Sequence, residues 1–237
     1  MSEPSRGRWL LPAVVGGTFG AMLTALVLLV AAPQWLGPRM VREGLLADPQ
    51  VLADAADALR DRQTAPLLAS HRAALETPFA SSWKGAEKPD VVLVEFFDYA
   101  CGYCKASLPH VEQLLREDKG LRVVYREFPI LGPDSVAAAR VSLAASKAGR
   151  FKQYHDALYQ AGRPGPQTIA AAARAANLPA AVPDSADIEA ELKRNFQLAS
   201  QLGASGTPTF VVGNRVLHGA AGYAELKKAI ADARRKS

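Results

Sequence analysis

Hydrophobic positions along the chain fall into three regimes. From Leu10 to Ala32 the residues are almost wholly apolar, and no charge occurs from Trp9 to Pro38. A run of that length crosses a hydrocarbon core of about 30 Å. It outlasts the apolar region of an ordinary signal peptide, and its best small-residue cleavage site, Val30-Ala31-Ala32, runs into Pro33. An uncleaved membrane anchor over residues 1–38 is therefore favoured over a cleaved signal segment. Residues 39–77 form the second regime, sparse but helical in spacing. Asp48-Pro49 is a helix start, with an Asx cap and a proline in the first turn. Leu45, Leu52 and Leu59 are seven apart, and a second helical piece is expected from Pro66, with Leu68 and Leu75 again seven apart. Two such pairs are too few for a coiled coil. The leucine face of this stalk needs a partner, either a second copy of the chain or the chain's own domain.

In the third regime, from residue 78 onward, periods alternate. Ser81 to Pro89 reads as a turn. Val91 to Phe97 is a continuous apolar, β-branched and aromatic run apart from Glu95, the pattern of a strand buried on both faces. Leu108, Val111, Leu114 and Leu115 then recur at helical spacing, and Leu121 to Phe128 is a second strand closed by Pro129. Strand, helix and strand make a βαβ unit with a right-handed crossover. Helical stretches follow at Asp134–Ala148, Phe151–Gln160, Pro166–Asn177 and Asp184–Gly203, read as one inserted helical subdomain over about 134–203. Thr209–Val212 and Arg215–His218 form a hairpin around Gly213-Asn214, and Tyr223–Ala233 is a last amphipathic helix. The fold class is α/β.

Composition changes this picture little. With 49% hydrophobic and 22% charged residues the chain is an ordinary globular mixture, so disorder is not the default. A net charge of +5 is spread over scattered residues without a basic stripe interleaved with aromatics, which argues against nucleic-acid binding. Arg6 and Arg8 precede the apolar span while Arg39 and Arg42 follow it, so loop charge does not orient the anchor.

The chemistry lies in the only two cysteines, Cys101 and Cys104, placed where the first strand turns into a helix. Free amides and the positive end of the helix dipole stabilise a thiolate there, and the thiolate is the species that attacks disulfides. Zinc would need two further ligands, and His71, His110, His155 and His218 are scattered, so no metal is expected. A disulfide closing so short a loop adds little stability. Redox work remains, with Cys101 as nucleophile and Cys104 as the thiol that resolves the mixed disulfide, and no cofactor beyond that redox pair. Such a pair belongs in an oxidising compartment, which puts residues 39–237 outside the cytoplasm. Far along the chain, Gly206-Thr207-Pro208-Thr209 opens the hairpin with a proline that cannot donate to the ladder.

Cys101-Gly102-Tyr103-Cys104 after an apolar strand, a large helical insertion, and Gly-Thr-Pro before a hairpin and final helix together resemble the thioredoxin fold of the DsbA-like extracytoplasmic thiol–disulfide oxidoreductases, over about residues 78–235. The resemblance implies that Pro208 is cis and faces the cysteines, that Thr207 offers backbone to a client strand, and that Gly102 and Tyr103 border that site. It also implies that Glu95 lies beneath the cysteines and relays the proton of Cys104; burial would raise its pKa. The alternatives for Glu95 are hydration or pairing with a lysine. Lys105 could add positive field, and Asp98 and Tyr99 are expected to shape the rim. Implied partners are client proteins with cysteines and a membrane redox protein that resets the pair. The anchor and stalk resemble the ScsC-like branch, whose members often oligomerise through such a region. That implies a homo-oligomer on a bacterial inner membrane, with its catalytic domain in the periplasm. Gly102-Tyr103 is neither the Pro-His of oxidising DsbA nor the Gly-Pro of reducing thioredoxin; it matches the isomerase DsbC. Oxidase and isomerase or reductase directions both stay open, as does a tethered chaperone-like binding module.

Overall fold

The computed structural model describes residues 38, 40–179 and 185–236. Its elements run α1 (residues 40–47), α2 (Gln50–Glu76), β1 (Trp83–Gly85), β2 (Val91–Phe97), α3 (Gly102–Glu117), β3 (Leu121–Glu127), α4 (Pro133–Lys147), α5 (Phe151–Ala161), α6 (Pro166–Ala175), α7 (Ala186–Gln201), β4 (Thr209–Val212), β5 (Arg215–His218) and α8 (Tyr223–Lys236). The chain divides into two units, residues 1–58 and 59–237. In the first, the Asp48 carboxylate accepts the amide of Gln50 at 3.2 Å, so Asp48-Pro49 starts a helix as its residue types require. The expected anchor, Leu10–Ala32, lies outside the described residues. Among those described, no helix is long and apolar enough to cross a membrane.

In the second unit a five-stranded mixed sheet has the order β1-β3-β2-β4-β5. β2 and β3 pair in parallel, from Val91 opposite Leu121 to Phe97 opposite Glu127, and the other neighbours are antiparallel. Both sheet faces are covered, which is why β2 and β3 read as near-continuous apolar runs. Leu93, Phe97, Val123, Tyr125 and Phe210 face α3, α5 and α8. Val94, Phe96, Val124 and Val211 face Leu68 and Leu75 of α2 and Leu198 of α7. Between Pro133 and Gln201, Ala139 and Leu143 of α4 pack on Ile188 and Leu192 of α7. α4, α5 and α6 contribute to the first core, whereas α7 contributes to the second. Inside the segment read as a turn, Trp83–Gly85 pairs with β3. Gly85 has φ +103°, and a Cβ there would stand 2.3 Å from the Leu121 carbonyl oxygen, so glycine is required.

The stalk also differs from its sequence pattern. α2 is a single helix through Pro66, although proline removes one helical hydrogen bond. Burial of Leu68 and Leu75 against the sheet offsets that loss, and the same burial places residues 59–76 in the second unit, ahead of the boundary expected at residue 78. Buried Arg126 of β3 closes the end of this helix. Its guanidinium donates to the carbonyls of Ala74, Leu75 and Thr77, and to Glu191 at 2.5 Å. Carbonyls in the last turn of a helix have no internal donor. Arg126→Leu strands those oxygens and a buried carboxylate, and should cost about 3–5 kcal/mol in urea unfolding. A loss under about 1 kcal/mol would refute the role of Arg126 as the clamp on α2.

Candidate active site

β2 ends at Phe97, and Asp98-Tyr99-Ala100 turns the chain into α3, whose N-cap is Cys101 with φ −79° and ψ 116°. The Cys101 sulfur accepts the amide of Cys104 at 3.4 Å and donates its own proton to the carbonyl of Thr207 at 3.2 Å. Thr207 precedes Pro208 through a cis peptide, so the Gly-Thr-Pro turn lies against Cys101 from more than a hundred residues away. Both thiols are free. Cys104 is fully enclosed and Cys101 retains 6% exposure, while Tyr103 between them is 69% exposed. Cys101 is thus more covered than a free helix terminus would leave it, because Thr207 sits over it. Lys105 and Gly102 are exposed.

Beneath the pair, Glu95 is buried on the β2 face that also carries Leu93 and Phe97. Burial pushes its carboxyl up to about 8, with the charge of Lys84 pulling it back down, and its Oε2 has no hydrogen-bond partner. Burial also pushes the Cys104 thiol up, and the nearby Glu95 adds to that. Burial disfavours the charged form of each group, so the neutral carboxyl and thiol are favoured together, and a thiolate formed at Cys104 has a protonated carboxyl beneath it. Lys84 does not ion-pair with Glu95; its ammonium bonds Glu112 at 2.8 Å and Asp156 at 2.7 Å.

Asp98 and Tyr99 are buried, not on the rim. Asp98 Oδ1 accepts the amide of Ala100 at 2.8 Å, and Oδ2 accepts those of Ile130 and Leu131, both at 2.9 Å. Its carbonyl accepts the amide of Cys101 at 3.0 Å. One carboxylate therefore joins the turn that carries Cys101 to the loop after β3. Sequence reading missed this role; the available signal was an acid between a strand end and a helix start, where amides lack partners. Tyr99 shares a hydrogen bond with Ser142 at 2.8 Å. Ile130 and Leu131, held by Asp98, are exposed. Among the described residues no group of three or more His, Cys, Asp or Glu side chains is placed to hold a metal. His155 is buried among aromatic rings, and burial pushes its pKa down to about 4.

The family described as the DsbA-like thioredoxin domain matches residues 92–231, more than half of the sequence. The chain belongs to this family. Its fold is that of a DsbA-like thiol–disulfide oxidoreductase, in agreement with the resemblance carried by Cys101-Gly-Tyr-Cys104 and Gly-Thr-Pro. A thioredoxin-like oxidoreductase from Silicibacter pomeroyi is 34% identical, with 70% of this chain and 99% of that one aligned at a TM-score of 0.64. A linker-deletion mutant of Proteus mirabilis ScsC is 30% identical, with 87% of this chain and 97% of that one aligned at a TM-score of 0.68. Among curated proteins the chain is similar to the Na(+)/H(+) antiporter NhaA 1 of Salinispora arenicola, 29% identical over 168 residues. The match takes 63% of this chain and 24% of the antiporter, so the DsbA-like chain spans about a quarter of the length of that relative.

Proposed function

We propose that this DsbA-like chain is an extracytoplasmic protein thiol–disulfide oxidoreductase that forms or exchanges disulfides in client proteins. The observation that carries the proposal is the Cys101 sulfur at the N-terminus of α3, touching both the Cys104 amide and the Thr207 carbonyl beside Pro208. In the oxidising direction a client thiolate attacks Cys101 of the Cys101–Cys104 disulfide, the S–S bond breaks, and Cys104 leaves as a thiolate. Its burial makes that thiolate costly, and Glu95, still protonated near neutral pH, supplies the proton. A second client thiolate then attacks the mixed disulfide and expels Cys101, leaving the client oxidised and the protein reduced by two electrons. The backbone of Thr207 lines the client strand, with Gly102 and Tyr103 bordering it. A membrane redox protein restores the disulfide, and the Leu10–Ala32 segment tethers the domain on the periplasmic side of a bacterial inner membrane.

Equilibration with glutathione buffers measures the direction. Thioredoxin stands at about −270 mV and DsbA at about −120 mV. A potential in the upper half of that range is expected, and a value at or below that of thioredoxin would overturn the oxidising reading.

A second reading, an isomerase working as an oligomer, draws on the exposed apolar side chains Met40, Val41, Leu46, Val51 and Leu52. Exposed apolar surface of that density favours association. Sedimentation of residues 39–237 should show a species larger than a monomer, and removal of residues 39–58 should abolish it. A monomer in both cases removes the oligomer.

A further inference from the structure

A carboxylate in a protein interior is costly unless hydrogen bonds satisfy it. Asp98 is buried, and the partners of its carboxylate are backbone amides: Ala100 at 2.8 Å on Oδ1, and Ile130 and Leu131, both at 2.9 Å, on Oδ2. Hydrogen bonds to an ionised oxygen are about twice as strong as neutral ones. The two sides of this carboxylate hold different segments. On one side the turn after β2 ends in Cys101, whose own amide donates to the Asp98 carbonyl at 3.0 Å. On the other, Pro129 and Pro133 lack amide hydrogens, so the loop between them has only those of Ile130, Leu131 and Gly132 to place, and two of these go to Asp98. The side chains of Ile130 and Leu131 are exposed while their amides are held.

The parallel ladder brings the two segments together. Phe97 lies opposite Glu127, and the Phe128 amide donates to the Phe97 carbonyl at 2.8 Å, so β2 and β3 deliver turn and loop to the same end of the sheet. Two residues separate Asp98 from Cys101. The Cys101 sulfur has contacts at 3.4 Å to the Cys104 amide and 3.2 Å to the Thr207 carbonyl, which a small shift of the turn would break. Misplacing a reacting atom by about 1 Å can cost about a hundredfold in rate.

We propose that Asp98 is a positioning residue for disulfide exchange: its carboxylate braces the turn that carries Cys101 against the loop after β3, and this brace holds the Cys101 sulfur between the Cys104 amide and the Thr207 carbonyl. The inference rests on the reading of Cys101 as the reacting sulfur. Two substitutions cut the brace at opposite sides. An asparagine side chain offers one acceptor and one donor. With its oxygen toward Ile130 and Leu131 it keeps two bonds and turns an N–H on the Ala100 amide, so Asp98→Asn releases the turn. A serine hydroxyl accepts from the amide two residues on but is too short to reach the loop, so Asp98→Ser keeps the Ala100 bond and releases Ile130 and Leu131.

The test is single-turnover oxidation of a reduced dithiol peptide by the full chain carrying its Cys101–Cys104 disulfide. Both variants should lower the saturating rate about tenfold or more and leave the half-saturating peptide concentration within about twofold, because the Thr207 backbone is untouched. Loss of the negative charge alone would act in the other sense, since it eases the approach of a client thiolate. A purely structural Asp98 would lower the urea midpoint and leave the rate of the folded chain as it is. An unchanged or faster rate in the folded variants, or a loss confined to one of them, overturns the brace. If either variant fails to fold, hydrogen exchange in the parent decides. The amides of Ala100, Cys101, Ile130 and Leu131 should exchange through one opening, with a common free energy and urea dependence, and separate openings for turn and loop would overturn the proposal. A parent chain that oxidises no peptide would instead sink the oxidoreductase reading, while the exchange pattern would still report whether turn and loop move as one.

Discussion

Cys101→Ala lowers catalysed disulfide formation in a reduced multi-disulfide client by about a thousandfold or more, because no other group in the site can accept or donate a disulfide bond. Cys104 cannot substitute, since it is fully enclosed and burial disfavours its thiolate. Cys104→Ala fails differently. Cys101 keeps its contacts with the backbone amide of residue 104 and the Thr207 carbonyl, so it still attacks a disulfide, but nothing releases the adduct. Non-reducing electrophoresis and mass spectrometry should therefore find a stable mixed disulfide with Cys104→Ala and none with Cys101→Ala. Refolding yields separate an enzyme from a binding module that holds extended chains on the same surface. Catalysis retained by Cys101→Ala would eliminate the oxidoreductase reading.

Glu95→Gln should stabilise the reduced protein progressively as pH rises, while slowing the steps that protonate or deprotonate Cys104. The ordinary value of its carboxyl is 4.5, and burial raises it to about 8 in the folded chain. Above pH 4.5 the unfolded chain has released this proton and the folded one has not, so the folded state binds more protons and stability falls with rising pH. The contribution is fully present below 4.5 and is lost as pH climbs through about 8. At about 1.4 kcal/mol per unit, the cumulative loss approaches 5 kcal/mol as an upper bound. Glutamine is nearly isosteric and does not titrate, so the difference in urea midpoint between variant and parent should widen from pH 5 to pH 8 and then level off. Parallel stability curves would show that Glu95 is ionised throughout. On the functional side, loss of a positioned proton carrier should slow release of Cys104 by about a hundredfold. The variant is then more stable and less active, as expected where a buried acid is kept for chemistry.

Several features of the site were legible from residue order because they depend on near neighbours. Apolar runs bounded by turn residues predict β2, β3 and the hairpin. The change from an apolar run to helical spacing locates Cys101 and Cys104 at a helix start, the position their chemistry needs. Glu95 stood out as an acid inside a strand that reads as buried on both faces. The anchor is the part of that reading that lies outside the described residues.

Other features belong to the tertiary structure, because the partners are far apart in the chain and carry no local signature. Asp98 meets Ile130 and Leu131 through amides whose availability depends on how the loop after β3 closes. Trp-Lys-Gly shows no strand pattern, yet pairing with β3 makes it β1 and carries Lys84 to the carboxylates of α3 and α5. Leu68 and Leu75 announce an apolar face; that this face packs on the chain's own sheet, with Arg126 closing the helix end, follows from the packing of β3 and α7 around it. Which core each helix of the insertion joins, and that α4 also packs on α7, is decided for the same reason, since periodicity gives the apolar side of a helix but not what it packs against. The sequence alone thus determined the spacing of Cys101 and Cys104, the strand–helix junction that holds them and the α/β class. Tertiary structure decided how deeply Cys101 is covered, which groups surround Glu95 and what Leu68 and Leu75 pack against, because burial and electrostatic field are set by all the segments that converge on a point.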